Sequence, residues 1–422
     1  MSRSFFGYNS NGVLYCDRVP VSQMLREHST PLYIYSLALM KRNFTSFDGA
    51  FGERPHAIHY ALKANSNKAI VKTFADLGGG ADVVSRGELY RALQSGIDPE
   101  NIVFAGVGKT FEEIKKGLKK NILAFNVESI PELKLIAKIG KRIGKVAPVS
   151  MRINPGIDPG TDPYIATGLK ESKFGVSKEK TLMAYRFIRD NTWLEAKGVH
   201  THIGSQITSL EPFVRSAKFI QDFICNLATE GISLEFVDMG GGFGIPYGKE
   251  QNVPQRTEFV NSILESIDSK LKIIIEPGRS LVGGAGMLIT RVIRTKESSG
   301  NRFTIVDAGM NDFVRPSLYN AHHEIIPVRN SCEKKARSDV VGPVCESGDF
   351  LGKNRLLPQT LGEGDYLAVM DVGAYGYEMS SNYNSRPRPL ELLVKHNKFA
   401  VIRSKESFGD LTKHEVLPGF LR

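Results

Sequence analysis

The sequence predicts an α/β fold: a (β/α)8 TIM-type barrel joined to a second, mostly antiparallel β-domain. Three observations lead there. Eight short apolar runs recur over roughly 250 residues, the size of such a barrel, and each is near-continuous, as parallel strands buried on both faces are. Helix start signals stand between several of them. After residue 282 the helical segments thin out and strand follows strand. A doubly wound open sheet is the structural alternative for the first part.

The barrel is expected over residues 30–282. Its strands are AIHYALK (57–63), ADVVS (81–85), NIVFAG (101–106), LAFNVES (123–129), PVSMRIN (148–154), AKGVHTHIG (196–204), LEFVDMGG (234–241) and KIIIEPG (272–278). Ser85-Arg86-Gly87-Glu88, Thr110-Phe111-Glu112-Glu113 and Ser129-Ile130-Pro131-Glu132 follow the second, third and fourth runs. All three have the capping-box form, in which hydroxyl and carboxylate satisfy orphan amides at a helix start. The second domain is expected from residues 1–29 together with 283–422. Its strands are MLITRVIRT, RFTIVDAG, EIIPVRN, DVVGPVC, DYLAVMDVG, LELLVKHN and KFAVIRS. The first 29 residues, GVLYC included, are too short for a domain and are expected to add a strand to it.

Composition narrows the function. Of 422 residues, 41% are hydrophobic and 24% charged, which fits a soluble globular chain. The net charge of +10 comes from scattered basic residues without a long run, which argues against nucleic acid and suits anionic ligands. Cys16, Cys225, Cys332 and Cys345 form no CxxC or metal-ligand spacing. They read as free thiols in a reducing compartment. The start MSRSFFGYNSNG has no apolar signal region, and no apolar run is long enough to span a bilayer. The expectation is a cytoplasmic protein with no membrane partner.

Barrels collect chemistry at the C-terminal ends of their strands. The first end carries Lys63, the second Asp82 and Ser85, the fifth Arg152 and Asn154, the sixth His200, His202 and Ser205. The seventh carries Asp238 and Gly240-Gly241-Gly242, and the eighth Glu276, Gly278 and Arg279. So many polar groups at one mouth would be costly without partners. DMGGGFG lacks the GxGxxG spacing of a dinucleotide fingerprint, and Pro246 follows soon after. A phosphate held by backbone amides fits it better, and barrels often bind phosphate after strands seven and eight. His200 and His202, at i and i+2, face one side of their strand and invite a metal reading. No further histidine or carboxylate cluster at ligand spacing accompanies them, so no metal is expected. Lysine, phosphate cradle, glutamate and a histidine able to stack on a ring together suggest pyridoxal 5′-phosphate (PLP). Lys63 would hold it covalently, Glu276 would keep its ring nitrogen protonated, and His202 would pack on the ring face.

ALKAN, HIGSQ, GGGFG, EPGR, DAGMNDFVRPSLY, CESGD and GAYG, in this order, resemble the diaminopimelate decarboxylases, of the fold-type III PLP enzymes. The resemblance runs from TPLYIYS (30–36) to VIRSKESFGDL (401–411). It implies a PLP barrel with a C-terminal β-domain, and a homodimer whose active sites take residues from both subunits. It implies decarboxylation of meso-2,6-diaminopimelate to L-lysine and CO2. Lys63 matches the Schiff-base lysine. Asp82, His202, Ser205, Gly241, Gly242, Glu276, Gly278 and Arg279 are the expected cofactor contacts. Arg279, Arg315 and Tyr319 match residues that hold substrate carboxylates and the distal end. Cys345 matches a proton donor and Glu346 a substrate-ammonium binder, both offered by the partner subunit. Tyr375 matches a residue touching cofactor and substrate. The sequence departs from the family at SRGEL, where SGGEL is usual, and at AHHEI, where His322 replaces an aromatic residue. Rival readings are a decarboxylase of the same fold acting on ornithine, lysine or carboxynorspermidine, an amino-acid racemase, a PLP-carrying regulatory protein, and a metal-dependent barrel hydrolase. Arg315 and the form CES at 345–347 favour diaminopimelate. The long connection at 155–175 has the length of a functional loop.

Overall fold

The structure, a computed structural model, describes residues 5–161, 167–168, 172–248, 252–268, 270–330 and 333–421. The chain divides into two compact units. One comprises Lys41–Pro246 with Gln251–Leu281, and the other Met1–Met40, Tyr247–Glu250 and Val282–Arg422.

The first unit is a closed barrel of eight strands. They are β1 (His56–Ala61), β2 (Gly80–Val83), β3 (Ile102–Phe104), β4 (Ala124–Val127), β5 (Ala147–Arg152), β6 (Leu194–His200), β7 (Phe236–Asp238) and β8 (Lys272–Ile275). Each pairs in parallel with the next. Closure comes from β8 on β1, with Ile273 opposite His56 and Ile275 opposite Ile58. Every residue of β2, β3, β4 and β7 is buried, which explains their unbroken apolar character. Most buried polar residues of the strands, Asp82, Asn126, Arg152, His200 and Asp238, stand at the last or next-to-last position, while His59 and Ser150 stand one residue further back.

The helix starts follow from local chemistry. Thr110 and Glu113 close a full capping box on the helix Phe111–Lys120. Ser85 and Ser129 accept the backbone N–H of Glu88 and Glu132 as expected. The carboxylates of those two glutamates reach one residue further back, to the N–H of Val84 and Glu128. A cap of this kind stabilises by about 1 kcal/mol. It also fixes where the chain leaves each strand end.

The second unit holds a nine-stranded sheet. Its longest strand, Gly286–Ser298, pairs antiparallel with Asn301–Val306, Tyr366–Val369 and Leu32–Ser36. Lys335–Val341 with Phe350–Pro358, and Leu390–Lys395 with Lys398–Arg403, are further antiparallel pairs, while two ladders are parallel. Three details differ from the sequence reading. Leu32–Ser36, expected at the start of the barrel domain, lies inside this sheet between Gly286–Ser298 and Leu390–Lys395. The N-terminal residues build a separate three-stranded sheet, Phe6–Tyr8, Leu14–Cys16 and Val19–Pro20. Phe350–Pro358 was not anticipated, because Gly352, Lys353, Asn354 and Arg355 interrupt its apolar pattern at a bulge. Among the described residues no helix is long and apolar enough to cross a membrane.

Candidate active site

Lys63 stands two residues beyond β1, in the single 3-10 turn Leu62–Ala64. The turn is held locally. Tyr60 donates its hydroxyl to the carbonyl of Asn65 at 2.8 Å, and Asn67 caps the next helix, Lys68–Ala75. Lys63 Nζ donates to Asp82 Oδ2 at 2.8 Å. Asp82 is fully buried, while the lysine side chain remains 35% exposed and so reachable from the mouth. Burial and the charge of Glu276 push the Asp82 carboxyl up from its ordinary range, and the pull of Lys63 does not fully offset them.

The loops after β6 and β7 are zipped together. Ile207 donates its N–H to the Gly242 carbonyl and Gly244 returns one to Ile207, both at 2.9 Å. Phe243 anchors this zipper against Phe213, Phe259 and Phe47, with ring centroids 5.0 to 5.3 Å apart. The intervening glycines are required by close approach. A Cβ on Gly241 would stand 2.2 Å from the Glu276 carbonyl oxygen, and one on Gly242, at φ +107°, 2.4 Å from that of Gly204. Gly241 donates its N–H to His202 Nδ1 at 3.1 Å. That bond needs an unprotonated Nδ1. Burial, then the charges of Lys63 and Arg152, hold the His202 ring well below its usual titration range, in agreement. Arg279 Nη2 donates to Ser205 Oγ at 3.0 Å, and Gly278 lies against Ala64.

Below this rim lies a buried polar layer. The ladder places Arg152, His200 and Asp238 side by side on β5, β6 and β7. Asn126 Nδ2 donates to Glu276 Oε1 at 3.2 Å and to Asp238 Oδ2 at 3.3 Å. His200 Nε2 is 3.4 Å from Glu276 Oε2, an ion-pair distance without hydrogen-bond geometry. Burial raises the Glu276 carboxyl, but His200 and Lys63 outweigh it and the net shift is downward. Arg152 pairs with Glu128 at 2.7 Å, and Glu128 also accepts the Gly175 N–H. β6 ends at His200, so the strand alternation on which a shared face for His200 and His202 was expected does not extend to His202. Nor is His200 without carboxylates. One ligand atom each of His200, Asp238 and Glu276 lies within 4.8 Å of the others. The Asn126 amide hydrogens engage both carboxylates, which is hydrogen-bond neutralisation rather than an arrangement for a cation.

The other expected residues belong to the sheet unit. Arg315 is 6% exposed. Its guanidinium lies over the rings of Tyr247 and Tyr319, 5.3 and 5.7 Å from their centroids, and its Nε is 3.4 Å from His323 Nε2. Cys345 and Glu346 occupy a separate exposed loop beyond the strand that ends at Val341. Asn384 accepts the Cys345 N–H at 2.8 Å. Tyr375 sits in a loop at φ +55°. His322, the departure from the family pattern, lies 2.8 Å from Arg355 Nη1 through its Nδ1. Of the long connection, residues 162–166 and 169–171 lie outside the described residues, as does Cys332. Cys16, Cys225 and Cys345 are free thiols.

Residues 37–283 match the family model of the pyridoxal-dependent decarboxylase pyridoxal-binding domain. The diaminopimelate decarboxylase of Vibrio cholerae is 44% identical over 417 residues, covering 98% of this chain and 99% of that protein. The chain belongs to the diaminopimelate decarboxylase family. Two solved structures of the family, both in complex with L-lysine, superpose closely. The one from Helicobacter pylori has a TM-score of 0.91 at 45% identity, over 94% of this chain and 99% of that one. The one from M. jannaschii has a TM-score of 0.94 at 39% identity, over 99% of each chain. The barrel mouth fits the family's cofactor. The glycine cradle that any Cβ would fill, with Ser205 and Arg279 beside it, suits a phosphate. A buried Glu276 held ionised suits a protonated ring nitrogen.

Three residues of this architecture escaped the sequence reading as site members. Asn126 and Glu128 lie in the fourth run, where a lone asparagine inside a buried strand was the available signal. Tyr247 follows the glycine loop by a few residues and gave no signal.

Proposed function

We infer that this chain decarboxylates meso-2,6-diaminopimelate to L-lysine and CO2 with PLP as cofactor, the last step of lysine biosynthesis. The observation that carries this is the 44% identity to a diaminopimelate decarboxylase over 98% of the chain. PLP supplies a sink for the electron pair left when the bond from Cα to its carboxylate breaks. Lys63 is the covalent anchor, with Asp82 steadying its Nζ at 2.8 Å. Gly241, Gly242, Ser205, Gly278 and Arg279 hold the phosphate. His202, kept neutral, would pack on the ring face, and Glu276 would accept from the ring nitrogen. Arg315 and Tyr319 bind the distal carboxylate, where a planar guanidinium suits two-point contact. The rings of Tyr247 and Tyr319 over the guanidinium and the His323 ring at its Nε fix the orientation of that side chain. Decarboxylation consumes one proton at Cα, and the Cys345 thiol delivers it from the partner subunit. Glu346 binds the distal ammonium, and Tyr375 touches cofactor and substrate. The working form is a cytoplasmic homodimer. The exposure of Cys345 and Glu346 supports a role across a subunit boundary, and a free thiol donor requires reducing surroundings.

The test is an absorption spectrum before and after meso-diaminopimelate, with CO2 followed in the same sample. A yellow protein whose band changes as CO2 and lysine appear supports the reading. A yellow protein inert to diaminopimelate removes the substrate. One that stays colourless with added PLP removes the role of Lys63.

A further inference from the structure

Three carboxylates, Asp82, Asp238 and Glu276, are 0%, 0% and 4% exposed at the centre of the barrel. Lys63 answers Asp82 directly. Among the described residues no comparable cation answers Asp238. Its Oδ1 accepts the Gly240 N–H at 2.9 Å, and its Oδ2 faces the Asn126 amide group that also serves Glu276. His59, on β1 next to β8, supplies no charge, since burial lowers its titration to about 4. His200 stands against Glu276 rather than between the acids. Two carboxylates sharing one donor in a dry site cannot both be ionised without a steep repulsion. Glu276 faces His200 and the Lys63 charge, so the proton belongs on the other member.

We propose that Asp238 is a neutral carboxylic acid whose Oδ2–H donates to Glu276, positioning that carboxylate and holding it ionised. Burial, then the charge of Glu276, raise the Asp238 carboxyl far above its ordinary range. Oδ2 then donates one hydrogen bond and accepts one from Asn126, while Oδ1 keeps the Gly240 N–H, so every oxygen is used. Asp238 is a positioning residue. Its consequence for the ring nitrogen rests on the PLP reading above, but its protonation does not.

The test is infrared spectroscopy of the PLP-free, full-length protein with carboxyl-labelled aspartate. It is run at pH 9, above the titration of Asp312 and Asp371, both pushed by burial to about 7. The expected result is a label-sensitive, deuterium-sensitive carboxylic-acid band that disappears in Asp238→Asn. Its absence at pH 9 in the unmutated chain overturns the proposal, whatever the variants do. The companion measurement is PLP affinity by fluorescence. Asp238→Ala should weaken it about 10–100-fold, the worth of a buried hydrogen bond to a charge. Asp238→Asn, whose amide can still donate to Glu276 but cannot accept from Asn126, should recover part of that loss. An asparagine as damaging as alanine would mean that the native residue acts as an anion, and the proposal falls. If the infrared band appears but no variant nor the parent binds PLP, the cofactor reading fails while the protonation of Asp238 stands.

Discussion

Replacing Gly241 by alanine tests whether close backbone approach sets the site. The new Cβ would lie 2.2 Å from the Glu276 carbonyl oxygen. A relaxed carbon–oxygen contact is about 3.3 Å, so the two segments must part by about 1 Å. They cannot part freely. Glu276 donates its N–H to the Gly240 carbonyl at 2.8 Å, and Ile207 and Phe243 clamp the other side of the loop. Overpacking of this kind costs about 1–3 kcal/mol, which predicts a Tm lower by a few degrees. The functional loss should be larger. A 1 Å misplacement of Glu276 and the phosphate loop predicts a fall of roughly 100-fold in kcat/KM, with weaker retention of PLP on dialysis. Gly49→Ala is the control, because a Cβ there meets nothing within 4 Å. Gly49 lies in the helix Leu37–Phe51, where alanine is favoured over glycine by about 1 kcal/mol, so the change should raise Tm slightly. A Gly241→Ala protein within threefold of the parent in kcat/KM and PLP affinity would refute the reasoning.

Three further outcomes follow. Arg315→Ala should cost roughly 2–5 kcal/mol in kcat/KM for diaminopimelate while the bound-PLP absorption is unchanged; loss of the cofactor would move Arg315 out of substrate binding. Glu128→Gln leaves the buried Arg152 without its carboxylate and should destabilise by about 3 kcal/mol at pH 7 in urea unfolding. Although burial opposes it, Arg152 and the Gly175 N–H hold the Glu128 carboxyl low in the folded state. Its stabilisation is therefore present above the ordinary carboxylate range and lost as pH falls through the lower folded value. The gap between parent and variant should narrow at acid pH, and a gap independent of pH would contradict the assignment. Asp371 has the opposite sign. Burial, then Glu324, raise it to about 7, so the folded chain keeps a proton that the unfolded chain has released. That contribution is full below the ordinary carboxylate range and is lost as pH rises to about 7. Asp371→Asn should thus gain on the parent between pH 5 and pH 8, by on the order of 1–3 kcal/mol after screening; a constant difference would show that Asp371 titrates normally.

Much of this was written locally. The eight barrel strands were legible because burial on both faces demands unbroken apolar runs, and the helix starts because a hydroxyl and a carboxylate three residues on act within one turn. The candidate residues of the barrel mouth could be named from strand ends alone, since parallel strands bring those ends to one rim. Other features depended on partners distant in sequence. Leu32–Ser36 reads as an ordinary strand, and only pairing with Gly286–Ser298 and Leu390–Lys395 assigns it to the sheet unit. Phe350–Pro358 is a strand because Lys335–Val341 lies beside it, against its own broken pattern. Asp238 and Glu276 lie 112 and 150 residues from Asn126 along the chain, and barrel closure alone puts one amide between two acids. Sequence determined which chemistry was available, because propensity and capping act over a few residues. Tertiary structure decided which carboxylates stand together, because that depends on distances and burial that exist only once the sheet has closed.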